Sequence, residues 1–352
     1  MPNPPKNALG FSCPQPYSPF SRMSHENFIL RALLADRTAF VSGELLAEKL
    51  GVTRVAVWQR LQKLRAEGFE IEAVRNVGCR ITRLPAVPHA ALLRLLVAPR
   101  ATPPVITVHD TIDSTNDEAH RQLAAGAPAP LVIIARSQTK GRGRFARPWH
   151  SKDNGNLYAT FVFRPRATPA RLQTFTLWMG VTLCDFVAAR VKNTPGVKWP
   201  NDLLFGSRKA AGLLTEAHVD SDAIRGLVFG LGLNINSAAA DWPAALRSSA
   251  TSLAEQNDNV PLDINPFVAA LITRILDAAD HFIERPAATA ATLASLWERH
   301  DLLRGKTITV LSGDKRLTGA AAGIDTEGLL ILKTGAGAGE KVRSGEVTIG
   351  AL

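Results

Sequence analysis

The spacing of the apolar residues changes twice along this chain of 352 residues, and each change indicates a new domain. Helical spacing dominates the first part, strand-like and helical runs alternate in the middle, and short strands separated by turns follow Lys306. Prolines clustered between Pro85 and Pro104 mark the first change. The expected fold class is therefore α+β. The predicted domains are residues 24–84, 85–302 and 303–352.

The pattern of residues 24–84 is typical of a winged helix-turn-helix, a DNA-binding fold. Ser42 is placed to cap a short helix, Gly51 to make a left-handed turn, and Thr53 to cap a second, basic helix. Two alternating strands around a glycine turn would form the wing. A helical hairpin that only docks on the next domain is the alternative. The predicted DNA contacts are Ser42, Thr53, Arg54, Trp58, Gln59, Arg60 and Lys63.

Composition restricts the classes of function. The chain has 41 Lys+Arg against 31 Asp+Glu, a net charge of +10 that favours acidic partners. Its cysteines, Cys13, Cys79 and Cys184, are too widely spaced for a disulfide framework or a zinc site, and they suit a reducing cytoplasm. The most apolar run, residues 177–183, is far shorter than the ~20 residues of a membrane span, so no membrane association is expected. Residues 1–23 predict a disordered extension, with Met23 as an alternative start.

A basic, glycine-rich segment, SQTKGRGRFARPWHS, occupies residues 137–151. Gly141 and Gly143 alternate with Arg142 and Arg144, and no acidic residue interrupts the segment. Glycine lets backbone N–H groups approach a ligand, and arginine supplies a rigid pair of donors for phosphate or carboxylate oxygens. The segment therefore predicts an anion clamp with Trp149 as an aromatic lid. Taken alone, it also fits a solvated basic loop.

Three further segments carry polar residues in unusual patterns. VKWPNDLLFGSRKAAGLLTEA, residues 197–217, contains a Pro-Asn-Asp turn and then Lys209 before an apolar run. Asp113-Ser114-Thr115-Asn116 lies upstream, and Gly230-Leu231-Gly232-Leu233-Asn234 lies downstream. Two of these patterns also have a plain structural explanation. Residues 198–202 could form a tight hairpin turn with Lys209 as a structural lysine, and Ser114-Thr115-Asn116 could simply cap a helix.

In this order and spacing, the segments resemble the biotin–protein ligases, in particular the bifunctional type that also represses biotin synthesis. The resemblance covers roughly residue 42 to the C-terminus, and SGELLAEKLGVTRVAVWQRLQKL is similar to the family's repressor domain. It departs at the wing, where Cys79 follows the glycine in place of the family's usual aromatic residue. The resemblance implies a mixed-sheet catalytic domain of the class II synthetase (biotin/lipoate ligase) type and a C-terminal SH3-like β-barrel.

The resemblance also implies a two-step reaction. Biotin and ATP would form biotinyl-5′-AMP, and a lysine of the biotin carboxyl carrier protein of acetyl-CoA carboxylase would then accept the biotinyl group. ATP and Mg²⁺ are the expected cofactors, although the sequence contains no carboxylate cluster dedicated to a metal. The expected partners are biotin, the carrier protein, operator DNA and a second copy of the chain, with biotinyl-AMP as corepressor. A lipoate–protein ligase, a non-enzymatic biotin sensor and a ligase without DNA regulation are the alternatives.

The same resemblance assigns roles to individual residues. The expected catalytic residues are Arg142, Arg144 and Lys209. The expected biotin contacts are Ser114, Thr115, Asn116, Gln138, Arg142, Gly143, Arg144, Lys209 and Gly212. The expected nucleotide contacts are Arg144, Trp149, Asn201, Asp202, Gly230, Gly232 and Asn234. In this scheme Gly230 and Gly232 let a strand approach the ligand, and Asp202 is the candidate base for the acceptor lysine.

Overall fold

The computed structural model describes residues 24–152, 155–165, 167–220, 223–335 and 339–350. The predicted disordered extension, residues 1–23, lies outside the described residues. The chain divides into a small N-terminal unit, which ends with residues 71–82, and a larger unit made of residues 67–70 and of the chain from Arg83 onward.

The N-terminal unit is a helix-turn-helix followed by a two-stranded wing. Its elements are α1 (His25–Ala35), α2 (Gly43–Leu50), α3 (Arg54–Ala66), β1 (Glu70–Val74) and β2 (Gly78–Arg83). The predicted caps are confirmed, because Ser42 Oγ accepts the Leu45 N–H (3.4 Å) and Thr53 Oγ1 accepts the Ala56 N–H (3.1 Å). Gly51 makes the turn with φ of +63°.

The second strand of the wing starts at a site that admits only glycine. A Cβ at Gly78, where φ is +141°, would lie 2.4 Å from the Val41 carbonyl oxygen. Val41 and Cys79 exchange backbone hydrogen bonds of 2.8 and 2.9 Å, and the Cys79 side chain is buried. The small thiol therefore packs at the base of the wing, where the family resemblance predicted an aromatic residue.

The larger unit is built on a seven-stranded mixed sheet in the order β3-β4-β5-β9-β8-β7-β6. Only β3 and β4 are parallel; the other neighbours are antiparallel. The strands are β3 (Val105–Ile112), β4 (Leu131–Gln138), β5 (Leu157–Phe163), β6 (Gly196–Lys198), β7 (Asp202–Phe205), β8 (Arg208–Asp220) and β9 (Ala223–Leu233).

Five α-helices accompany this sheet: α4 (Ala90–Leu96), α5 (Thr115–Ala124), α6 (Phe175–Ala188), α7 (Ile264–Glu284) and α8 (Pro286–His300). The sequence did not predict α4, because prolines dominate its surroundings. Short 3₁₀ turns lie at Arg144–Ala146, Pro169–Leu172, Ala239–Asp241, Ala244–Leu246 and Glu255–Asn257. Phe175 of α6 meets Phe163, Phe229 and Phe282 edge to face, with centroids 6.1, 5.8 and 5.2 Å away. These contacts join α6 and α7 to the sheet.

The C-terminal segment forms a five-stranded antiparallel sheet in the order β13-β12-β11-β10-β14. Its strands are β10 (Thr307–Ser312), β11 (Lys315–Ile324), β12 (Leu330–Lys333), β13 (Gly339–Val342) and β14 (Glu346–Ile349). The expected all-β segment is confirmed, with one correction. Among the described residues β13 and β14 are the two edges, so the sheet is not closed into a barrel. Strand β13 escaped prediction, because it begins at the last residue of the glycine-rich segment 335–339, which indicates a turn.

A buried asparagine anchors the start of the larger unit. Asn265 of α7 is fully buried, donates to the carbonyls of Pro85 and Val87 (2.9 and 3.0 Å), and accepts the His89 N–H (2.8 Å). Its side chain therefore satisfies three backbone groups of a proline-rich segment that lacks a ladder of its own.

We predict that Asn265→Ala destabilises the protein by ~1–3 kcal/mol, because it leaves these backbone groups without partners. The change would appear as a lower midpoint of urea unfolding. The matched control is Asn257→Ala, which removes a long hydrogen bond (3.4 Å) to the Val260 carbonyl from a partly exposed site. Equal midpoints for the two variants would contradict an anchoring role for Asn265.

Candidate functional site

A cavity of about 450 Å³ lies over β8 and β9, bordered by the basic glycine-rich loop (residues 141–149), which we call the clamp loop. Every residue predicted to contact biotin or nucleotide lines this cavity. They come from the start of α5, the end of β4, the clamp loop, the β6–β7 turn, β8 and β9. The fold therefore brings together segments spread over more than a hundred positions of the sequence.

The start of α5 and the end of β4 hold each other through fixed hydrogen bonds. Gln138 Oε1 accepts from the Thr115 backbone N–H (2.8 Å) and from Thr115 Oγ1 (3.1 Å), while its Nε2 donates to Ser151 Oγ (3.0 Å). Ser114 Oγ accepts the Asp117 N–H (3.4 Å). Ser114 thus caps helix α5, and it also lines the cavity.

Asn116 lies between β5 and β8 with its amide orientation determined. Its Oδ1 accepts from Thr160 Oγ1 (2.7 Å) and its Nδ2 donates to Glu216 Oε2 (2.7 Å). A Cβ at Gly230 would lie 2.4 Å from Asn116 Oδ1. The absence of a side chain at Gly230 therefore makes room for Asn116, and Gly230 itself also lines the cavity.

Gly232 plays the same part for Trp149. A Cβ at Gly232 would lie 2.6 Å from the indole, and one at Gly212 would lie 2.9 Å from it. The indole of Trp149 therefore lies on two neighbouring strands, and Lys209 Nζ is 5.1 Å from the ring centroid. Trp149 thus covers the floor of the cavity, a placement that the lid prediction did not specify.

The clamp loop is a small, strained hairpin. The N–H of Gly143 donates to the Arg147 carbonyl and the N–H of Trp149 to the Gly141 carbonyl, both at 2.8 Å. Phe145 and Ala146 have φ of +56° and +55°. Left-handed conformations of non-glycine residues cost ~1–3 kcal/mol each and occur often at ligand clamps.

The two clamp arginines differ in their surroundings. Arg142 pairs with Asp117 and, at 3.2 Å, with Glu216. Burial disfavours its charge, but these carboxylates more than offset that effect, so the pKa of Arg142 is raised. Arg144 makes only long contacts, 3.5 Å to Asn201 Oδ1 and 3.4 Å to the Gly345 carbonyl, and burial lowers its pKa. An incoming anion would therefore stabilise the charge of Arg144 more than that of Arg142.

Lys209 lies beside Trp149, at the end of the clamp loop, in a group of charges. Its Nζ is 2.7 Å from Asp202 Oδ1, and its backbone is held by the segment that contains Ser249 and Thr251. Burial lowers the pKa of Lys198, which lines the same cavity near Asp202 and Lys209. The sequence prediction missed Lys198, although its place in the KWPND segment beside an apolar strand was a usable signal.

Asn201 and Asn234, which are both predicted to contact the nucleotide, donate hydrogen bonds to backbone carbonyls. Asn201 Nδ2 donates to the Leu213 carbonyl (2.7 Å). Asn234 Nδ2 donates to the carbonyls of Thr251 (3.0 Å) and Lys209 (3.4 Å). Both side chains shape the cavity wall in this way, and their contact with a nucleotide remains a prediction.

The predicted DNA contacts fall into two groups. Arg54, Trp58 and Gln59 are exposed on α3, with the Arg65 guanidinium 5.0 Å from the Trp58 ring centroid. Arg60 instead donates to the Ala56 carbonyl (2.8 Å) and meets His25 (2.9 Å), and Lys63 pairs with Glu26 (2.7 Å). The basic face predicted for α3 is thus divided, because Arg60 and Lys63 turn toward α1.

Residues 24–152, 155–165, 167–220, 223–335 and 339–350, which the structure describes, contain neither a metal-binding cluster nor a membrane-spanning helix. Within those ranges no group of three or more His, Cys, Asp or Glu side chains could hold a metal ion. Over the same residues, no helix combines the length and apolar character of a membrane span.

Comparison with known proteins assigns the family. Residues 108–234 match the biotin/lipoate A/B protein ligase family, residues 25–80 an HTH domain, and residues 304–350 the biotin protein ligase C terminal domain. The bifunctional ligase/repressor BirA of Escherichia coli is 31% identical over 307 residues, which cover 86% of this chain and 91% of that protein. This chain belongs to the bifunctional biotin ligase/repressor family.

Two further relatives agree with this membership. BirA of Bacillus subtilis is 30% identical over 315 residues, 88% of this chain and 94% of that protein. The structure of a biotin protein ligase from Aquifex aeolicus in complex with biotin and ATP superimposes with a TM-score of 0.58 at 25% identity, covering 70% of this chain and 98% of that one. The resemblance inferred from the sequence motifs is therefore confirmed.

In this ligase-family chain the C-terminal sheet also reaches the clamp loop. Both guanidinium nitrogens of Arg147 bond the carboxylate of Glu346 on β14. The charge of Arg147 holds the pKa of Glu346 below its usual range. Docking of the loop should therefore be present at neutral pH and be lost as the pH falls through that depressed pKa.

We predict that Glu346→Gln loosens the clamp loop. Both side chains are well exposed, so hydrogen exchange of the amides of residues 141–149 should speed up only modestly, about two- to fivefold at pH 7. The matched control is Glu340→Gln on the exposed face of β13. In the unsubstituted protein, the amide exchange rate, corrected for its intrinsic dependence on pH, should approach that of Glu346→Gln as the pH falls below the usual range of a glutamate pKa. Protection that stays constant with pH would show that the ion pair does not hold the loop.

Proposed function

We propose that this chain condenses biotin with ATP to form biotinyl-5′-AMP and then transfers the biotinyl group to a lysine of a biotin carboxyl carrier protein. One observation carries the proposal: a single cavity joins a polar recess around Asn116 and Gln138 to a group of cations around Arg144 and Lys209. The relatives named as biotin ligases support the choice of substrate.

The polar recess suits the ureido ring of biotin. Asn116 and Gln138 have their amide orientations determined by internal hydrogen bonds, and each keeps further donor or acceptor capacity toward the cavity. Preorganised polar groups reject a ligand that cannot pair with them, because burying them without partners is costly. Lipoate lacks the ureido group, so the recess favours biotin over lipoate.

The cations suit the adenylation step. A carboxylate oxygen of biotin attacks the α-phosphorus of ATP, and the bond to the β-phosphate breaks to release pyrophosphate. Biotin's carboxylate is already ionised near pH 7, so this step needs no general base. Arg144, Lys198 and Lys209 would instead offset the negative charge of the two reactants and of the transferring phosphorus. Magnesium would enter with ATP, and the side-chain oxygens of Asp202 and Asn201 at the cavity wall fit its preference for oxygen ligands.

The transfer step needs a deprotonated amine. The nitrogen of the acceptor lysine attacks the acyl carbon, the bond to the phosphate oxygen breaks, and AMP leaves. The lysine must first lose a proton, and Asp202 is our candidate for accepting it. Its carboxylate pairs with Lys209, so the role depends on Lys209 turning toward the phosphate once the nucleotide is bound. We place this activity in the cytoplasm, together with its carrier protein.

Isotope exchange between pyrophosphate and ATP tests the proposal directly. Purified protein should catalyse exchange when biotin is added and should not do so with lipoate. Transfer is then measured with a biotin carboxyl carrier protein as acceptor. Exchange driven by lipoate alone would replace the proposal by the lipoate ligase alternative, and biotin binding without exchange would favour the non-enzymatic sensor.

We predict that Lys209→Gln lowers the exchange rate about a hundredfold, the usual cost of losing one group that stabilises transition-state charge. Biotin Kd should rise by less than about tenfold, since the charge matters most in the transition state. The matched control is Lys192→Gln, which removes a surface ion pair with Asp258 and should leave both quantities unchanged. Equal losses in rate and affinity would assign Lys209 to ground-state binding.

We further propose that the N-terminal unit binds operator DNA and that biotinyl-AMP acts as corepressor. The observation that favours this second function is the exposed group Arg54, Trp58 and Gln59 on α3 beside a formed wing. One such unit offers few phosphate contacts, so a homodimer on a palindrome would supply useful affinity. Strand β3 is an edge of the central sheet, and we place the dimer contact there.

We predict that Arg54→Ala weakens DNA binding and reduces the slope of log affinity against log salt by ~1, because one phosphate contact is lost. The matched control is Arg31→Ala on the exposed face of α1. Binding is measured by fluorescence anisotropy on a duplex selected from a random library. Biotinyl-AMP should tighten both dimerisation and binding to this duplex. Affinity that does not respond to biotinyl-AMP would leave a ligase without DNA regulation.

A further inference from the structure

A chain of hydrogen bonds connects the surface of β8 with the polar recess. His218 Nε2 lies 2.7 Å from His120 Nδ1, and His120 Nε2 lies 3.0 Å from Glu216 Oε2. Glu216 in turn accepts from Asn116 Nδ2 at 2.7 Å and from Arg142 Nη2 at 3.2 Å. His120, His218 and Glu216 are not among the described residues that line the cavity. The chain therefore reaches the cavity from behind its wall.

Two regular elements build this chain. Asn116 and His120 are four residues apart on α5 and share one face of that helix. Glu216 and His218 are two residues apart on β8 and share one face of the sheet. Where the two faces meet, Asn116 contacts Glu216, and His120 contacts both Glu216 and His218. The arrangement thus follows from helix and strand periodicity, and it is confined to the outer half of β8.

The charge of Glu216 determines which ring nitrogen of His120 carries a proton. Burial raises the pKa of Glu216, but hydrogen bonds from Asn116 and His120 and the charge of Arg142 more than offset this, so its pKa lies below the usual range. An ionised carboxylate only accepts, so His120 Nε2 must donate to it. In a neutral His120 ring, Nδ1 then carries no proton and accepts a hydrogen bond, which His218 Nε2 donates. Glu216 therefore sets the ring tautomer of His120, and His218 is the donor that matches it.

Two groups depend on the position of Glu216. One is the Asn116 amide, whose orientation is determined by Thr160 on one side and by Glu216 on the other. The other is the Arg142 guanidinium, held between Glu216 and Asp117. Without His120 the Glu216 side chain would lose one of its donors and gain rotational freedom. Both cavity groups would then be less well oriented.

A metal site is the competing explanation for two histidines beside a glutamate. The geometry argues against it, because the facing nitrogens of His120 and His218 are 2.7 Å apart and leave no room for an ion between them. The rings are tilted by 45° with centroids 4.8 Å apart, as in a direct contact. The described residues also include no metal-binding group of three at this place.

We propose that His120 is a positioning residue for biotin. It orients Glu216, which holds Asn116 and Arg142 ready for the ligand, and His218 donates to the other ring nitrogen of His120. The proposal rests on the biotin ligase function proposed above. It predicts a loss of biotin affinity with little effect on ATP, because the chain ends at Asn116 and Arg142, which are expected biotin contacts, and does not reach Arg144 or Lys209.

The test compares His120→Leu, which removes the donor, with His120→Gln, which keeps an N–H donor on a side chain of similar length. Biotin Kd is measured by calorimetry, and kcat and the KM for ATP by pyrophosphate exchange. His120→Leu should weaken biotin binding roughly tenfold, as expected for a residue coupled within a hydrogen-bond network. His120→Gln should restore most of that affinity, and the KM for ATP should change by less than about twofold in both variants.

Two further variants make the outcome decisive. His109→Leu applies the same substitution on β3, outside this chain of hydrogen bonds, and should bind biotin normally. In a Glu216→Gln background, His120→Leu should cause little additional loss, because the residue through which it acts has been altered. Additive losses would overturn the proposal, as would normal biotin affinity in His120→Leu or an equal loss in His120→Gln. Failure of the unsubstituted protein to bind biotin would instead overturn the proposed ligase function, and the positioning role with it.

Discussion

The close approach of Asn116 and Trp149 to β9 is the constraint on which the whole site depends. Both side chains occupy space that a Cβ at Gly230 or Gly232 would fill. These glycines are two residues apart and therefore lie on one face of the strand. The first turn of α5 and the end of the clamp loop reach that face from different directions. The cavity exists because this strip of the sheet carries no side chains.

The distribution of charge around that strip follows a second rule. Arg142, Arg147 and Lys209 each have a carboxylate partner. Burial lowers the pKa of Arg144 and of Lys198. Partly desolvated cations gain most when an anion arrives, because its charge restores what water had supplied. The cavity thus combines cations that are held in position with cations that favour an incoming phosphate or carboxylate.

The elements that sequence reasoning predicted correctly are those with local causes. Ser42, Gly51 and Thr53 act on backbone groups within three or four residues, so their roles were readable from their type and position. Helix α4 and strand β13 were missed, because proline and glycine are poor indicators of regular structure. Closure of the C-terminal sheet was expected by resemblance, and the described strands leave it open.

By itself the sequence determined the family, the α+β class, the helix caps and the chemical types collected in the clamp loop and the KWPND segment. Only the tertiary structure decided which groups those residues meet. Arg142 pairs with Glu216, 74 positions away, and Arg147 with Glu346, 199 positions away. Periodicity shows which face of an element a side chain occupies, but the packing of elements determines what lies across from that face. For this reason the glycines of β9 and the His218–His120–Glu216 chain acquired their meaning only in three dimensions.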